Sequence, residues 1–365
     1  MGLNAAGLTA VLTSGVAAIT HAAVGDGPAA ADQTSAGRVA IGQDMTFGGD
    51  PSAGASHLLL FSASTGGTFY GSVRLDGDTA FSTSGSFEVT GFTIAGVPGT
   101  GFPDATNTGL AGVGMTEADL TLYAGPEGFQ NNEVAVIEDK LINGDIRIYD
   151  NASVTLRRCK INGHIDIDSA NADLTMEDCH VDATTWPNAA VGFQNMTILR
   201  CDIEGGITAV NASINVLVED SYLHGQRISA TGQDHAGGFL CSGGHDITLT
   251  GNTIVCDVLD NGHGGGPSNN LNLFGDFAEL ADILIGGNYF PVTAGGYSVS
   301  LGHNPGANFG DNPTGIEFTD NVLARDPDTG KGGAFGTVTS FLAANGNVYS
   351  GNTWADDGTA VPVNA

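Results

Sequence analysis

The chain has 365 residues, of which 56 are glycine, and charged residues make up only 14%. This composition excludes a conventional helical protein with a salt-bridged surface, and the lack of a Gly-x-y repeat excludes collagen. The formal net charge is −29 with only 11 lysines and arginines. It excludes non-specific binding of nucleic acid through a basic surface, and it disfavours attraction to anionic lipid.

The N-terminus is predicted to form a helix. Asn4 is placed to act as its N-cap, and Leu8, Val11 and Leu12 form one apolar stripe. No Lys or Arg precedes Arg38, which argues against a secretory signal. Polar residues and glycines interrupt every apolar run, so no membrane insertion is predicted.

Residues 1–95 are predicted to form a small β domain behind this helix. Runs with period-two alternation predict strands at residues 38–41, 57–61, 68–75 and 86–94. Residues 96–130 are rich in Gly, Pro and Thr with weak periodicity, which is typical of a connector.

Residues 131–365 contain an internal repeat. Small or amide side chains recur at equivalent positions, namely Cys159, Cys179, Cys201, Ser221, Asn252, Asn288, Asn321 and Asn352. Apolar residues stand five and three positions before each of them and two positions after, with Asn347 as the exception. The alternation slips by one residue at the equivalent position, which predicts two strands joined by a bend. Stacked repeats of this kind predict a parallel β-solenoid with an inward-facing ladder of reduced cysteines and hydrogen-bonded asparagines.

The repeat changes length along the chain. Successive equivalent positions are 20, 22 and 20 residues apart up to Ser221, and then 31, 36, 33 and 31 residues apart. Insertions in solenoids emerge on one flank, which is often the face that binds a partner. None of the five cysteines forms a C-x-x-C pair and no calcium repeat is present, so we predict neither a metal site nor a cofactor.

Two parts of the chain resemble known families. LNAAGLTAVLTSGVAAITHAAVGDG and SHLLLFSASTGGTFYGSVRLDGDTAFSTSGSFEVT resemble the N-terminal domain of minor tail proteins from phages of actinobacteria, of the mycobacteriophage type. SYLHGQRISATGQDHAGGF, NTIVCD and LNLFGDFAELADILIGGNYF resemble right-handed parallel β-helix proteins of these bacteria and their phages.

Together these resemblances imply a tailspike or tail-fibre subunit located in the virion tail. They imply an all-β chain: an N-terminal β domain with a helix for attachment to the tail, and a right-handed, single-stranded parallel β-helix. The implied partners are other tail-tip proteins, a glycan or other component of the host envelope, and two further copies in a homotrimer.

The repeat places Asn162, Asp182, Glu204 and His224 in one outward column. Neighbouring parallel strands lie about 4.8 Å apart, and two carboxylates near 5 Å are the acid and nucleophile of a retaining glycosidase. Asp182, Glu204 and His224 are therefore candidate catalytic residues. The alternative is that Asp and Asn follow these strands because turns favour them.

The loop GQDHAGG supplies a second candidate catalytic pair, Asp234 and His235, on a segment rich in glycine. Gln226 and Arg227 begin the same insertion and are candidate carbohydrate-binding residues. The alternative is that the acid and the imidazole only pin the loop to the coil below.

Asp276 and His303 lie in later insertions and are also candidate carbohydrate-binding residues on the same possible surface. Asp276 is expected either to pair with Arg227 or to line a sugar groove. Aromatic side chains available nearby in sequence are those of Phe274, Phe277, Tyr289 and Tyr297.

Three functions are compatible with the sequence. The favoured one is a structural and host-recognising protein of a phage tail. The second is a tailspike hydrolase or lyase that acts on envelope polysaccharide. The third is a secreted cell-surface β-helix, which the missing signal segment argues against.

Overall fold

The structure is a computed structural model that describes residues 101–363, together with the backbone of eight strands before residue 101. The chain divides into two compact units, Met1–Phe102 and Pro103–Ala365. We describe each unit by itself.

The first unit consists of two β-sheets. Its strands are β1 (Leu8–Thr13), β2 (Val16–Val24), β3 (Gly27–Ala29), β4 (Ala31–Ser35), β5 (Arg38–Ile41), β6 (His57–Ala63), β7 (Thr68–Val73) and β8 (Phe87–Val89). They form one sheet in the order β3-β2-β1-β6-β7 and a second in the order β4-β5-β8. The strands pair antiparallel, except that β1 and β6 pair in parallel. The four strands predicted from alternation correspond to β5, β6, β7 and β8.

The predicted N-terminal helix is wrong. The segment forms β1 and β2, which pair antiparallel with Thr13 opposite Val16. β-branched Val, Ile and Thr recur through both strands, and such residues favour a pleated conformation over a helix. Asn4, the predicted cap, lies outside the described residues.

The second unit is a right-handed parallel β-helix. It begins with α1 (Gly109–Gly112) and a 3-10 helix (Glu117–Asp119), and its strands then form three all-parallel sheets, which we call A, B and C in the order in which each coil visits them. The strand pairing begins at Thr121, inside the predicted connector. The repeat indicates two strands per coil, and the strands of sheet B are the third.

The strands are distributed over the three sheets as follows. Sheet A contains β9 (Thr121–Leu122), β12 (Lys140–Ile142), β15 (Lys160–Asn162), β18 (His180–Asp182), β21 (Asp202–Glu204), β24 (Tyr222–Leu223), β27 (Thr253–Ile254), β31 (Tyr289–Phe290), β34 (Val322–Leu323) and β37 (Thr353–Trp354). Sheet B contains β10 (Gly128–Phe129), β13 (Ile146–Ile148), β16 (Ile165–Ile167), β19 (Ala189–Phe193), β22 (Thr208–Ala212), β25 (His235–Cys241), β28 (Gly266–Pro267), β29 (Leu271–Leu273), β32 (Val299–Leu301) and β35 (Val338–Thr339). Sheet C contains β11 (Val134–Glu138), β14 (Ser153–Arg157), β17 (Asp173–Glu177), β20 (Met196–Leu199), β23 (Ile214–Glu219), β26 (Gly244–Thr250), β30 (Leu280–Gly286), β33 (Thr314–Thr319) and β36 (Val348–Ser350).

The core is a set of apolar columns inside the three sheets. In sheet A, Ile161 pairs with Val181 and Val181 with Ile203, and all three side chains are fully buried. Each coil adds residues to the same columns, so the hydrophobic core runs without a break from Phe129 to Trp354.

The predicted ladder is confirmed at the corner between sheets C and A. The backbone N–H of Cys201 donates to Ser221 Oγ at 3.0 Å, and that of Ser221 donates to Asn252 Oδ1 at 2.9 Å. From Asn252 onward the side-chain amides also bond to each other, with Nδ2 of Asn252 2.9 Å from Oδ1 of Asn288. All five cysteines are buried and free of disulfides.

A left-handed residue precedes each ladder position and makes the bend. Asp178, for example, has φ 54° and Arg200 has φ 52°, whereas glycine occupies the same place at Gly251 and Gly287. This backbone conformation reverses the inward and outward alternation, which is the one-residue slip seen in the sequence.

The C-terminal tail closes the last coil. Thr353 forms an antiparallel bridge to Ala360, and the N–H of Val361 donates to the backbone oxygen of Asn352 at 2.9 Å. Val361 is buried against the core. The described part of the chain contains no helix that is long and apolar enough to cross a membrane.

Candidate functional site

The outward column of sheet A lies where the repeat predicts it. Asn162 is in register with Asp182, and Asp182 is in register with Glu204 on the next strand. His224 follows β24, and its N–H continues the pairing by donating to the oxygen of Ile203 at 3.0 Å. The predicted neighbours are therefore on adjacent coils.

Arg227 joins the two carboxylates of this column. Its Nη1 donates to Asp182 Oδ1, and its Nη2 donates to Glu204 Oε2 at 2.9 Å. Arg227 lies in the first long insertion, which follows β24. Its side chain extends back across sheet A to the two preceding strands, β21 and β18. The partners of Arg227 are Asp182 and Glu204, and neither contact involves Asp276.

Two further side chains extend this network along sheet A. His180 Nε2 donates to Glu204 Oε1 at 3.0 Å, and Lys160 Nζ lies 3.2 Å from Nδ1 of the same ring. Burial lowers the pKa of Lys160. The face is thus one connected polar network rather than an isolated pair of acids.

The network keeps both carboxylates ionised. Burial opposes the charge of Asp182, but hydrogen bonds from Arg227 and from the N–H of Thr184 lower its pKa overall. The hydrogen bond from His180 lowers the pKa of Glu204, against the effects of burial and of the charge on Asp182. A general acid in a glycosidase needs a raised pKa, and neither of these two carboxyl groups has one.

His224 is separate from the Arg227 network. Its Nε2 donates to Asp202 Oδ1 at 2.7 Å, and its ring stacks on Tyr222 with the centroids 3.8 Å apart. Burial and the neighbouring Asp257 and Asp202 raise the pKa of Tyr222 to about 12. Asp202, which the sequence reasoning missed, orients His224 because a carboxylate on one ring nitrogen fixes which nitrogen carries the proton.

Asp202 is covered by the segment that precedes the first coil. Gly109 of α1 donates its N–H to the oxygen of Arg200 at 2.8 Å, and a Cβ at Gly109 would lie 3.0 Å from Cβ of Asp202. This close approach and the φ of 54° at Gly109 favour glycine where the segment that contains α1 crosses sheet A. Asp202 therefore has little access to solvent.

Gln226 lies beside Arg227 but is buried. Only 4% of it is exposed, and neither its amide nitrogen nor its amide oxygen has a hydrogen-bond partner among the described residues. Burial removes Gln226 from the surface on which it was expected to bind carbohydrate.

The Asp234 and His235 loop is bound to the insertion of the next coil. His235 begins β25 and pairs with Gly266, whose N–H donates to the oxygen of Asp234 at 3.1 Å. Asn261 Nδ2 donates to the oxygens of Ser229 and Gly232 at 2.9 and 2.8 Å. Backbone contacts thus fix the loop, and His235 is exposed.

Asp276 and His303 lie at a different corner. Gln226, Arg227 and Asp234 are in a connection from sheet A to sheet B, whereas Asp276 and His303 are in connections from sheet B to sheet C. The Asn308 side chain donates to the oxygen of Asp276 at 3.2 Å, and the N–H of His303 donates to the oxygen of Ser340 at 2.8 Å. The strands of sheet B separate these two sets, so they do not form one surface.

Within the described residues, no group of three or more His, Cys, Asp or Glu side chains is arranged to hold a metal ion. The chain matches no protein-family model, and no curated protein or solved structure matches it significantly. The fold class therefore rests on the sheets themselves, and the resemblance to phage tail proteins stays a prediction.

Proposed function

We propose that this chain is a tail-associated virion protein that binds a glycan of the host surface and does not cleave it. The observation that carries the proposal is the stacked set of long loops at the corner between sheets A and B. The N–H of Ser268 donates to the oxygen of Ala236 in β25 at 2.7 Å, and the N–H groups of Gly296 and Phe335 donate to backbone oxygens of the preceding loop at 3.0 and 2.7 Å.

These bonds join several insertions into one continuous surface at the corner between sheets A and B, which we call the ledge. The ledge continues from Ala236 through Ser268 and Gly296 to Phe335, and each loop is supported by the loop below it. A rigid scaffold that presents loops in fixed positions is the usual way to hold binding groups, since little entropy is lost when the partner binds.

The charge of the chain defines the kind of partner. A net charge of −29 repels polyanions, so recognition depends on hydrogen bonds and on stacking rather than on charge attraction. Neutral surface glycans meet this condition.

The test is incubation of purified protein with envelope glycan from candidate actinobacterial hosts. The expected result is retention of the glycan, with no new reducing ends and no unsaturated products. Release of such products would contradict the proposal, as would failure to bind any envelope preparation.

A polysaccharide hydrolase is the second candidate, and the pairing of Asp182 with Glu204 on adjacent strands is the observation that favours it. The lowered pKa of both groups weighs against it. Product release that disappears in the Asp182→Asn, Glu204→Gln double variant would establish this activity.

A further inference from the structure

We infer that Phe335 and Tyr297 form a stacking platform for an uncharged sugar ring, at the upper end of the ledge between sheets A and B. The inference rests on the proposed function, because it names the ligand class and the contact site within it. Its starting point is an aromatic ring that the fold holds rigidly in solvent.

Phe335 is 73% exposed. Backbone hydrogen bonds from Ala334 and from Phe335 hold this exposed ring in a fixed position. The N–H of Ala334 donates to the oxygen of Gly295 at 2.8 Å, and the N–H of Phe335 itself donates to the oxygen of Gly296.

The ring is also held from below. A Cβ at Gly296 would lie 3.3 Å from Cδ2 of Phe335, so the ring lies close against the backbone of Gly296. Tyr297 approaches it edge to face, with the ring centroids 6.1 Å apart and the planes at 61°. Aromatic pairs favour this geometry, and one face of Phe335 remains open.

Tyr297 adds a polar group to the platform. Its backbone N–H is fixed by the buried Asn269 Oδ1 at 2.9 Å, and its hydroxyl forms no hydrogen bond with the described residues. An apolar ring face next to a free phenol offers stacking to the C–H face of a pyranose and a hydrogen bond to one of its hydroxyls.

The local charge favours a neutral ligand. The two connections that carry the rings, residues 291–298 and 324–337, contain two basic residues, Arg325 and Lys331, and two acidic residues, Asp326 and Asp328. Arg325 is already paired with Asp356 and Asp357 and stacks over Trp354 at 4.8 Å. Counted by themselves, the two connections therefore carry no net charge, whereas the chain as a whole is strongly acidic.

The experiment measures binding of the full chain to two oligosaccharide panels by saturation-transfer NMR and calorimetry. One panel contains neutral hexose and pentose oligosaccharides, and the other contains uronate and sulfated ones. We expect binding to neutral members only, a loss of tenfold or more in affinity for Phe335→Ala, and near-normal affinity for Phe335→Tyr. Phe277→Ala is the matched control, because that ring is 82% exposed at the other corner and is expected to have no effect.

The possible failures are distinguishable. Glycan binding that is unchanged by Phe335→Ala overturns the platform and leaves the proposed function standing. Binding to neither panel, together with no binding to whole host cells, overturns both. A Phe335-dependent interaction with a protein or with lipid vesicles, without sugar binding, would assign the platform to a different partner and overturn the inference.

Discussion

The early and late coils of the β-helix fill the same corner, between sheets C and A, with different side chains. Between Cys159 and Ser221 the ladder is built from thiols and one hydroxyl, the coils are short, and the outer face of sheet A is a network of charges. From Asn252 onward the ladder is built from amides, and the coils carry long loops. The comparison suggests that a stronger internal ladder accompanies the coils that must support large insertions.

Removal of one amide from the late ladder is expected to have the largest effect on stability. Asn288 accepts from the N–H and the side chain of Asn252, both at 2.9 Å, and donates to the oxygen of Leu249 at 2.9 Å. Asn288→Ala leaves these buried groups unpaired, and we expect a loss of about 2–4 kcal/mol in the free energy of unfolding. Urea unfolding measures it.

Two features sharpen that measurement. The only tryptophans of the chain are Trp186 in the early coils and Trp354 in the last one, so variants with a single tryptophan report on each region separately. Asn288→Ser is the control, since Ser221 fills the same role in the early ladder, and it should lose less. An equal loss for both variants would contradict the importance of the amide.

The corresponding change in the early ladder is Cys179→Ala. The Cys179 sulfur is 3.5 Å from the N–H of Cys159 and 3.3 Å from the oxygen of Glu177, which are weak contacts. We expect a loss of about 1–2 kcal/mol, mainly from the small cavity. A loss as large as that of Asn288→Ala would remove the proposed difference between the regions.

Arg227→Gln tests the junction between the regions. The folded pKa of Asp182 and of Glu204 is lowered, so their contribution to stability is present above the unfolded pKa values of about 4 and is lost as the pH falls through the folded values. We expect a loss of about 1 kcal/mol at neutral pH, because all three groups are partly exposed to solvent.

The pH profile separates this effect from a general disturbance. Without Arg227, the decline in stability between pH 7 and pH 3 should become shallower, and NMR titration should show a raised pKa for Glu204. An unchanged acid slope would show that Arg227 does not hold the two carboxylates in solution.

The smallest effect is expected at Gln226. Because its buried amide has no partner among the described residues, Gln226→Leu should leave stability unchanged or raise it by up to about 1 kcal/mol. Calorimetric melting measures the change, with Gln226→Ala as the variant that also opens a cavity. A clear loss for Gln226→Leu would indicate that the amide bonds to a buried water.

The ladder was predictable because every coil repeats the same bend. Apolar residues at fixed sequence distances from Cys159 or Asn288 show which side chains point into the core. Insertions elsewhere in the coil do not change these distances. Sheet B was missed because the connection that leads to its strands varies in length. The distance from the ladder residue to the next sheet B strand is six residues after Cys159 but fourteen after Ser221.

The candidate site was predictable only in part for a similar reason. Strand register alone places Asp182 beside Glu204, and this needed no knowledge of the loops. The return of Arg227 over two coils and the burial of Gln226 depend on the path of an insertion, which has no periodicity. The charge state of the carboxylates follows from that path, so their chemistry was not accessible from the repeat.

The closed C-terminal end has a consequence for assembly. Every coil of a parallel solenoid offers unpaired backbone groups to the next, so an open end is a template for growth by other chains. The bridge from Thr353 to Ala360 and the bond from Val361 to Asn352 occupy some of those groups at β37 in sheet A. These residues thus shield this edge of sheet A, and removing the contacts of Ala360 and Val361 should expose Asn352 and Thr353 to pairing with another strand.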